Sequence, residues 1–300
     1  MENNRGLLLK DVGGRYTVRT GGGELVECRA RGLFRLEKIS PLAGDQVELT
    51  WEETGEAVIS AILPRKNTLV RPPLANLDKL FLVVSLKDPA PNTLVIDKLT
   101  AIAEKKGIEP VLVLNKIDLE DPTELQDAYR KAGFAVYTVC GKTGEGIEPL
   151  RAQLAGGICA FTGNTGAGKS SLLNRIAPEL ALATGEISKK LGRGRHTTRT
   201  VELFPLAGGY TADTPGFSSV DLGRYEVILK EELAGCFREF APHQERCRFA
   251  GCLHVGELGC AVAKAVEDGE IPPSRYRSYR ALYEEVKDLK EWQVRPSKRD

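Results

Sequence analysis

Four residues in the middle of the chain have the identity and spacing of a phosphate-binding loop. Gly163, Gly168, Lys169 and Ser170 fill the pattern G-x-x-x-x-G-K-[ST], between an apolar run that favours a strand and a segment that favours a helix. Glycines let backbone N–H groups surround a phosphate, and the helix N-terminus adds partial positive charge there. The alternative is a glycine-rich turn that binds nothing. The predicted phosphate-binding residues are Gly163, Asn164, Thr165, Gly166, Ala167, Gly168, Lys169, Ser170 and Ser171.

Two of these side chains have predicted roles of their own. We expect Lys169 to reach the outer phosphates of a nucleotide and the Ser170 hydroxyl to bind the accompanying magnesium.

A second polar segment, Asn115 to Asp118, follows an apolar run and has the pattern N-K-x-D, with Lys116 and Ile117 between. At the carboxyl end of a strand, it would lie where open α/β sheets bind ligands. Guanine presents an N1–H and a 2-amino group side by side, and one carboxylate can accept from both. We therefore predict that Asp118 reads guanine. Asn115 would brace the loop and the Lys116 stem would cover the base. A polar turn is the alternative, and the phosphate loop weighs against it.

A second contact to the base is predicted from the loop Cys140-Gly141-Lys142, which follows the next predicted strand. A backbone N–H of this loop could reach the guanine O6, while Lys142 covers the ring. Taken alone, the loop is unremarkable.

Magnesium and terminal-phosphate contacts are predicted downstream, where Asp213 to Gly216 has the pattern D-x-x-G. Asp213 would hold magnesium through water, and the Gly216 N–H would sense the terminal phosphate. A simple turn is the alternative. Of two threonines in the preceding glycine-rich segment, we predict that Thr198 closes on magnesium, with Thr197 as the second choice.

The candidate catalytic residue is His196, in the same glycine-rich segment. Many GTPases orient the attacking water with a glutamine where this chain has Phe217, which cannot form a hydrogen bond, so intrinsic hydrolysis should be slow. An imidazole can orient or deprotonate water instead. The alternative is that His196 contacts only phosphate, or RNA together with Arg193, Arg195 and Arg199.

Near the C-terminus, three cysteines and a histidine have the spacing C-x4-C-x-H-x5-C. Three thiolates and one imidazole form a closed tetrahedral zinc site of the structural kind, and the metal would supply folding energy to a segment with little core of its own. The alternative is four unrelated residues. The predicted zinc ligands are Cys247, Cys252, His254 and Cys260.

The composition is that of an ordinary globular protein. The chain has 300 residues, a net charge of +1 and 42% hydrophobic residues, enough for two or three domains. It has neither an apolar run long enough to span a bilayer nor the apolar core of a secretion signal, so we expect a cytoplasmic protein without a membrane partner. Cysteines in that compartment should be thiols or metal ligands.

Three domains are expected. Residues 1–72 contain short strands in two hairpins, which predicts a β-barrel of the OB-fold type, and residues 73–225 alternate strands and helices, which predicts a parallel α/β sheet. Residues 226–300 would be a mostly helical zinc-binding domain. The barrel arginines Arg29, Arg31 and Arg35 suit either a face that binds single-stranded nucleic acid or a structural barrel with solvated arginines. The closing helix carries Arg275, Arg277, Arg280, Lys287 and Lys290, and we prefer a solvated face there over an RNA-contacting one.

The order of the motifs is permuted. The base-reading segments precede Gly163, whereas most small GTPases have the phosphate loop first. If the two termini of a GTPase with the usual motif order were joined, and the chain were opened after the Asp213 loop, the same sheet could still form. The C-terminal domain would then follow a loop that moves with nucleotide state, which predicts mechanical coupling between the two.

Together, the phosphate loop, Asn115 to Asp118, Asp213 to Gly216, the Gly-Arg-His-Thr-Thr stretch and the zinc spacing resemble one family. It is the circularly permuted, small ribosomal subunit-dependent GTPases of bacteria. The resemblance implies a GTPase that binds the 30S subunit late in its maturation. We expect it to bind GTP and GDP and to be a monomer. It also implies stimulation by that subunit and contacts of the barrel and zinc domains with 16S ribosomal RNA. Two departures are Gly141, where the family usually has alanine, and Cys140, which replaces serine.

Two other functions compete with this hypothesis. One is an RNA-binding protein with zinc whose nucleotide site senses guanine nucleotides with little turnover, and the other is a kinase that phosphorylates a small acceptor. Asp118 argues against the kinase because it specifies guanine.

Overall fold

A computed structural model describes residues 4–32, 34, 39–70, 72–178, 201–213 and 226–290. The first part of the chain is a closed five-stranded barrel, with the strand order β1-β2-β3-β5-β4 and a further pairing of β4 with β1. This closure confirms the predicted barrel of the OB-fold type. Its strands are β1 (Arg5–Val12), β2 (Arg15–Thr20), β3 (Leu25–Ala30), β4 (Gln46–Trp51) and β5 (Ala57–Ile62).

The barrel is filled by the inward-facing residues of each strand. Along β4, Val47 and Leu49 are buried while Gln46 is exposed, which is the alternation expected of a sheet with one solvated face. Strand β1 was absent from the sequence prediction. Its buried run of three leucines, residues 7–9, does not alternate, because a register shift after Leu8 interrupts the pairing with β2. Strand β1 is also paired, at Lys10 and Glu202, with a strand outside the barrel, β12 (Glu202–Leu206).

A parallel sheet with the order β10-β9-β8-β11-β13 forms the central part of the chain. The predicted parallel sheet is therefore confirmed, with an antiparallel strand, β12, added beside β13. A two-stranded hairpin, β6 and β7, joins the barrel to this sheet. The strands are β6 (Thr68–Leu69), β7 (Leu74–Ala75), β8 (Lys79–Ser85), β9 (Glu109–Asn115), β10 (Ala135–Val139), β11 (Ile158–Thr162), β12 (Glu202–Leu206) and β13 (Gly209–Asp213).

Among the described residues, the helices that accompany this sheet are α1 (Thr93–Lys105), α2 (Thr123–Lys131), α3 (Ile147–Ala152) and α4 (Lys169–Ile176). Helix α1 buries an apolar face against the sheet and is capped by Asn92, whose side chain accepts from the Val95 N–H. Because the five central strands are parallel, the segments that follow their carboxyl ends meet at one edge. There lie the end of β13 and the residues after β9, β10 and β11, which carry predicted nucleotide contacts.

The C-terminal part is helical around an aromatic cluster. Phe237, Phe240 and Tyr279 are almost completely buried, and Phe240 and Tyr279 pack edge to face with ring centroids 4.8 Å apart. Two short 3-10 turns, Ala234–Cys236 and Arg238–Phe240, lie between the helices. The helices are α5 (Lys230–Leu233), α6 (Ala241–Gln244), α7 (Ala261–Glu267) and α8 (Pro273–Val286).

The interpretation of helix α8 as a solvated face is wrong for Arg275. Its side chain is 1% exposed, and it donates to Asp97 of α1 over 2.7 Å and to Glu239 over 2.7 Å. Two buried carboxylates account for this position, since a charge is buried only where it is paired. Arg277 and Arg280 are exposed, as expected. Helix α8 ends at Val286 rather than continuing through Lys290. Among the helices that the structure describes, none combines the length and the apolar character that a bilayer crossing requires.

Candidate functional site

The phosphate loop lies between β11 and α4, at the carboxyl edge of the sheet. Gly163 has φ 152°, and a Cβ there would lie 2.2 Å from the Val83 carbonyl oxygen; at Gly168, with φ 89°, it would lie 2.4 Å from the Asn115 amide nitrogen. Both positions therefore require glycine. The Lys169 ammonium donates to the carbonyls of Gly163 at 2.6 Å and Asn164 at 3.1 Å, and burial lowers its pKa. The loop thus encloses a positive charge.

Asn115 ties the predicted base-reading segments to this loop. Its buried amide nitrogen donates to the Ala167 carbonyl at 2.9 Å, and its amide oxygen accepts from the Gly141 N–H at 3.0 Å. One side chain therefore contacts the phosphate loop on one side and the loop at 140–142 on the other. Segments up to 52 residues apart along the chain converge here.

The other members of the N-K-x-D segment lie beside this junction. Lys116, with φ 70°, donates from its ammonium to the carbonyls of Lys87, over 3.2 Å, and Asp88. Ile117 bonds through its N–H to the Val139 carbonyl at 3.4 Å. The exposed Asp118 carboxylate accepts from the Cys140 thiol at 3.3 Å. The contacts of Lys116 with 87–88 were not predicted, although that loop follows the carboxyl end of β8.

The loop at 140–142 presents its backbone to the same place. Cys140 and Gly141 are buried and Lys142 is exposed. A Cβ added at Gly141 would have the Leu172 nitrogen as its nearest neighbour at 3.5 Å, which is an ordinary contact. An alanine would fit there, so the departure from the usual residue leaves the backbone path unchanged.

Magnesium and catalytic candidates are only partly described. Ser170 is exposed in the first turn of α4, next to Lys169. Asp213 ends β13, which pairs with β11, so its backbone is at the same sheet edge as the phosphate loop. The candidates His196, Thr197, Thr198 and Gly216, as well as Phe217, lie outside the described residues.

The four predicted zinc ligands come together. Their donor atoms all lie within 4.8 Å of one another. The His254 Nδ1 is 3.6 Å from the Cys247 sulfur and 3.4 Å from the Cys260 sulfur. Tetrahedral zinc with ordinary bond lengths places nitrogen and sulfur ligands about 3.5 Å apart. These residues therefore have a separation that fits such an ion.

The surroundings of the cluster suit thiolates. The N–H groups of Ala261 and Ala263 point at the sulfurs of Cys247, over 3.3 Å, and Cys260, over 3.4 Å. Burial and then the neighbouring thiolates of Cys260 and Cys247 raise the pKa of Cys252 to about 12, so a thiolate at Cys252 requires a nearby cation. The donor chemistry fits zinc.

A carboxylate and two tyrosines hold the ligand loop in place. Glu257 accepts from the N–H groups of Leu253, Val255 and Gly256. Tyr276 donates to the His254 carbonyl at 2.9 Å, and Tyr279 donates to the Leu253 carbonyl at 2.5 Å. The loop is therefore fixed to helix α8.

None of the seven cysteines, all of which lie within the described residues, forms a disulfide bond. Burial raises the pKa of Cys28 to about 12, of Cys159 to about 11 and of Cys236 to about 12. These three thiols are packed in the interior and are poor nucleophiles.

Known proteins resemble this chain over almost its whole length. Family models for the RsgA GTPase and the RsgA N-terminal domain match residues 62–223 and 5–59. The small ribosomal subunit biogenesis GTPase RsgA of Caldanaerobacter subterraneus subsp. tengcongensis is 47% identical over 292 residues, covering 96% of this chain and 97% of that protein. The protein of the same name from a Geobacillus species is 45% identical, covering 95% and 98%.

Two solved structures have a similar fold. YjeQ from Thermotoga maritima superposes with a TM-score of 0.80 at 38% identity, covering 96% of this chain and 99% of that one. YloQ, a circularly permuted GTPase, gives a TM-score of 0.79 at 35% identity and covers 96% of each chain. The strand order, with the N-K-x-D segment ahead of the phosphate loop, agrees with that permutation. From the matched ranges and the extent of these similarities, the chain belongs to the RsgA GTPase family.

Proposed function

We propose that this protein binds and hydrolyses GTP in the biogenesis of the small ribosomal subunit. The chain belongs to a family of GTPases, and its relatives are named as GTPases of small ribosomal subunit biogenesis. The single observation that carries the nucleotide part is the Asn115 side chain, which bonds both the phosphate loop and the loop at 140–142. A guanine nucleotide is the ligand that needs these segments side by side.

In this proposal the nucleotide lies along the carboxyl edge of the sheet. Asp118 accepts from the guanine N1–H and 2-amino group, with Ile117 behind it, while the stems of Lys116 and Lys142 flank the ring. The backbone of Cys140 and Gly141 faces the guanine O6. Backbone N–H groups of 163–171 surround the phosphates. The convergence of these segments through Asn115 supports the assignment.

Magnesium that arrives with GTP neutralises charge on the phosphates. We assign Ser170, Asp213 and Thr198 to hold it, and the Gly216 N–H to contact the terminal phosphate. Ser170 is exposed beside Lys169, and the β13 backbone ends beside the phosphate-loop strand, which supports the first two assignments. His196 is the proposed group that orients water, in a chain where Phe217 cannot.

A structural zinc ion is the metal proposed for Cys247, Cys252, His254 and Cys260. The mutual distances and the backbone N–H groups aimed at two of the sulfurs support it. The zinc ion would hold in place the loops between Cys247 and Cys260, which carry exposed side chains.

Contacts with 16S ribosomal RNA are proposed for this zinc domain. Phe249, between two zinc ligands, is 51% exposed, and the Arg248 guanidinium lies 5.4 Å from its ring centre. Exposed aromatic rings flanked by arginine suit stacking on unpaired bases. Within the described residues, no ion pair occupies Arg246, Arg248, Arg277 or Arg280. Arg29 of the barrel is less suited, because it pairs with Glu56 at 2.9 Å.

We also propose a domain organisation, an oligomeric state and a cellular location for the protein. We assign residues 1–72 to the barrel, 73–225 to the GTPase domain and 226–300 to the zinc domain. The protein would act as a monomer in the cytoplasm, late in the maturation of the 30S subunit.

The test is the GTPase rate with purified 30S subunits, 50S subunits and naked ribosomal RNA. The proposal predicts slow turnover alone and strong stimulation by 30S subunits only. The competing function, a guanine-nucleotide sensor that binds RNA, predicts nucleotide binding with no stimulated turnover. Equal rates for the protein alone, with 30S subunits, with 50S subunits and with naked RNA would therefore reject the proposed role. They would not reject the proposal that the protein binds guanine nucleotides.

A further inference from the structure

Strand β1 connects the barrel with the GTPase sheet. It pairs with β4 as far as Leu7, which closes the barrel, and with β12 at Lys10 and Glu202. The register with β2 shifts between Leu8 and Lys10, so Leu9 is an extra residue and forms a β-bulge. A bulge bends its strand. The bend lies where β1 changes its partner from a barrel strand to a strand of the GTPase sheet.

The same pairing continues to the end of β13. Glu202, the first residue of β12, lies opposite Lys10 on one side and opposite Asp213, the last residue of β13, on the other. The Lys10 ammonium is 3.3 Å from the Glu202 carboxylate, which adds an ion pair to the backbone pairing. Two strand spacings, about 10 Å, separate the Lys10 and Asp213 backbones. One row across three strands therefore joins the barrel to a proposed magnesium ligand.

The start of β12 depends on this row. Within the part of the chain that the structure describes, β12 has β13 on one edge and β1 on the other, and Lys10 is its partner in β1. A strand end that loses the partner on one edge opens more readily. Because Asp213 is paired with Glu202, opening there would also free the end of β13.

We propose that Lys10 of the barrel is a positioning residue for magnesium binding with the nucleotide. By pairing with Glu202, it holds the end of β13, and with it Asp213, in place. This inference rests on the proposed role of Asp213 in the nucleotide site. The barrel thus contributes to that site in the free protein, without the 30S subunit. Lys10 and Glu202 are each about one-third exposed, and ion pairs of this kind are weak, so we expect effects of a few-fold.

The test measures the affinity of the full-length protein for a non-hydrolysable GTP analogue, once with Mg²⁺ and once with EDTA. The ratio of the two affinities reports how well the protein binds magnesium together with the nucleotide, and it requires no turnover. Lys10→Glu places two carboxylates opposite each other, which destabilises a cross-strand pair. It should lower the ratio by roughly 2- to 5-fold. Lys10→Arg keeps the positive charge and should retain the wild-type ratio.

Arg5→Glu is the matched control on the same strand. Arg5 pairs with Glu48 of β4, at 2.7 Å, so the same charge reversal disturbs a pair that lies within the barrel. It should leave the ratio unchanged. An equal fall in Arg5→Glu and Lys10→Glu would mean that the ratio follows the stability of the barrel, and that result overturns the proposal.

An unchanged ratio in Lys10→Glu also overturns it, including the case in which both affinities fall by the same factor. If Lys10→Glu does not fold, the neutral variant Lys10→Met takes its place, and an unchanged ratio there rejects the proposal. Asp213→Asn distinguishes the two levels of the argument. If it leaves the ratio unchanged, the magnesium assignment fails and this inference fails with it, whereas a lower ratio in Asp213→Asn alone rejects only the role of Lys10.

Discussion

At the scale of single residues, Asn115 is the side chain on which the nucleotide site depends most. Asn115→Ala would leave the Ala167 carbonyl and the Gly141 N–H without their partner inside the protein. Each such loss costs about 1–3 kcal/mol, and we expect GDP affinity to fall about 10- to 100-fold. Titration of a fluorescent GDP analogue measures this change.

A matched control comes from Asn67, another buried asparagine that bridges backbone groups. Its amide accepts from the Leu77 N–H and donates to the Leu77 carbonyl, both at 2.9 Å. Asn67→Ala should reduce the free energy of unfolding about as much as Asn115→Ala does and leave GDP affinity unchanged. Equal loss of affinity in both variants would mean that Asn115 acts only through general stability.

The residues of the candidate nucleotide site could be predicted from the sequence, whereas the long-range contacts that hold the fold together could not. Gly163, Gly168 and Asn115 are recognisable because phosphate wrapping and base reading need these residue types at fixed spacing. Arg275 looked like any arginine on an exposed helix, since its partner Asp97 is 178 residues away along the chain. Strand β1 was missed because its leucines do not alternate. Pairing over such distances has no local signal.

At the scale of elements, helix α1 is joined to helix α8 by a buried charge network. Asp97 accepts from both Arg275 and Tyr129, and Arg275 also bonds Thr100 and Glu239. Arg275→Met would leave two carboxylates buried and unpaired. We expect a loss of about 3–5 kcal/mol in unfolding free energy, measured by urea denaturation.

Arg277→Met provides the comparison on the same helix. Arg277 is exposed and makes no ion pair with any residue that the structure describes. Its replacement should change stability by less than about 0.5 kcal/mol. If Arg275→Met were as mild as this control, the network would not hold the two helices together.

At the scale of the whole molecule, the C-terminal domain is docked on helix α1 by further ion pairs. Lys98 bonds Glu285 at 2.6 Å, and Lys105 bonds Glu232 at 2.6 Å. Glu226 contacts both Lys106 and the Val70 N–H. Coupling of this domain to nucleotide state stays a prediction. Equal hydrogen exchange of residues 226–300 with a GTP analogue and with GDP would count against it.

Metal removal also tests how the C-terminal domain is held on helix α1, because the proposed zinc site contacts helix α8. The ligand loop is fixed to α8 by Tyr276 and Tyr279, so zinc loss should loosen that helix and destabilise the protein by at least ~2 kcal/mol. Cys247→Ser should purify without zinc, as judged by metal analysis. Cys236→Ser, which removes a thiol outside the cluster, should retain it. Zinc retained in both variants would exclude Cys247 as a ligand.

The central claim is that one pocket, built from segments in permuted order, reads guanine through Asp118. Its most direct test is the nucleotide preference of Asp118→Asn, because xanthine has an oxygen where guanine has the 2-amino group and an asparagine can donate to it. Asp121→Asn is the control, since Asp121 bonds only Thr123 within the described residues. We predict that Asp118→Asn binds XDP more tightly than GDP while the control keeps the wild-type preference. An Asp118→Asn protein that still prefers GDP would contradict the account.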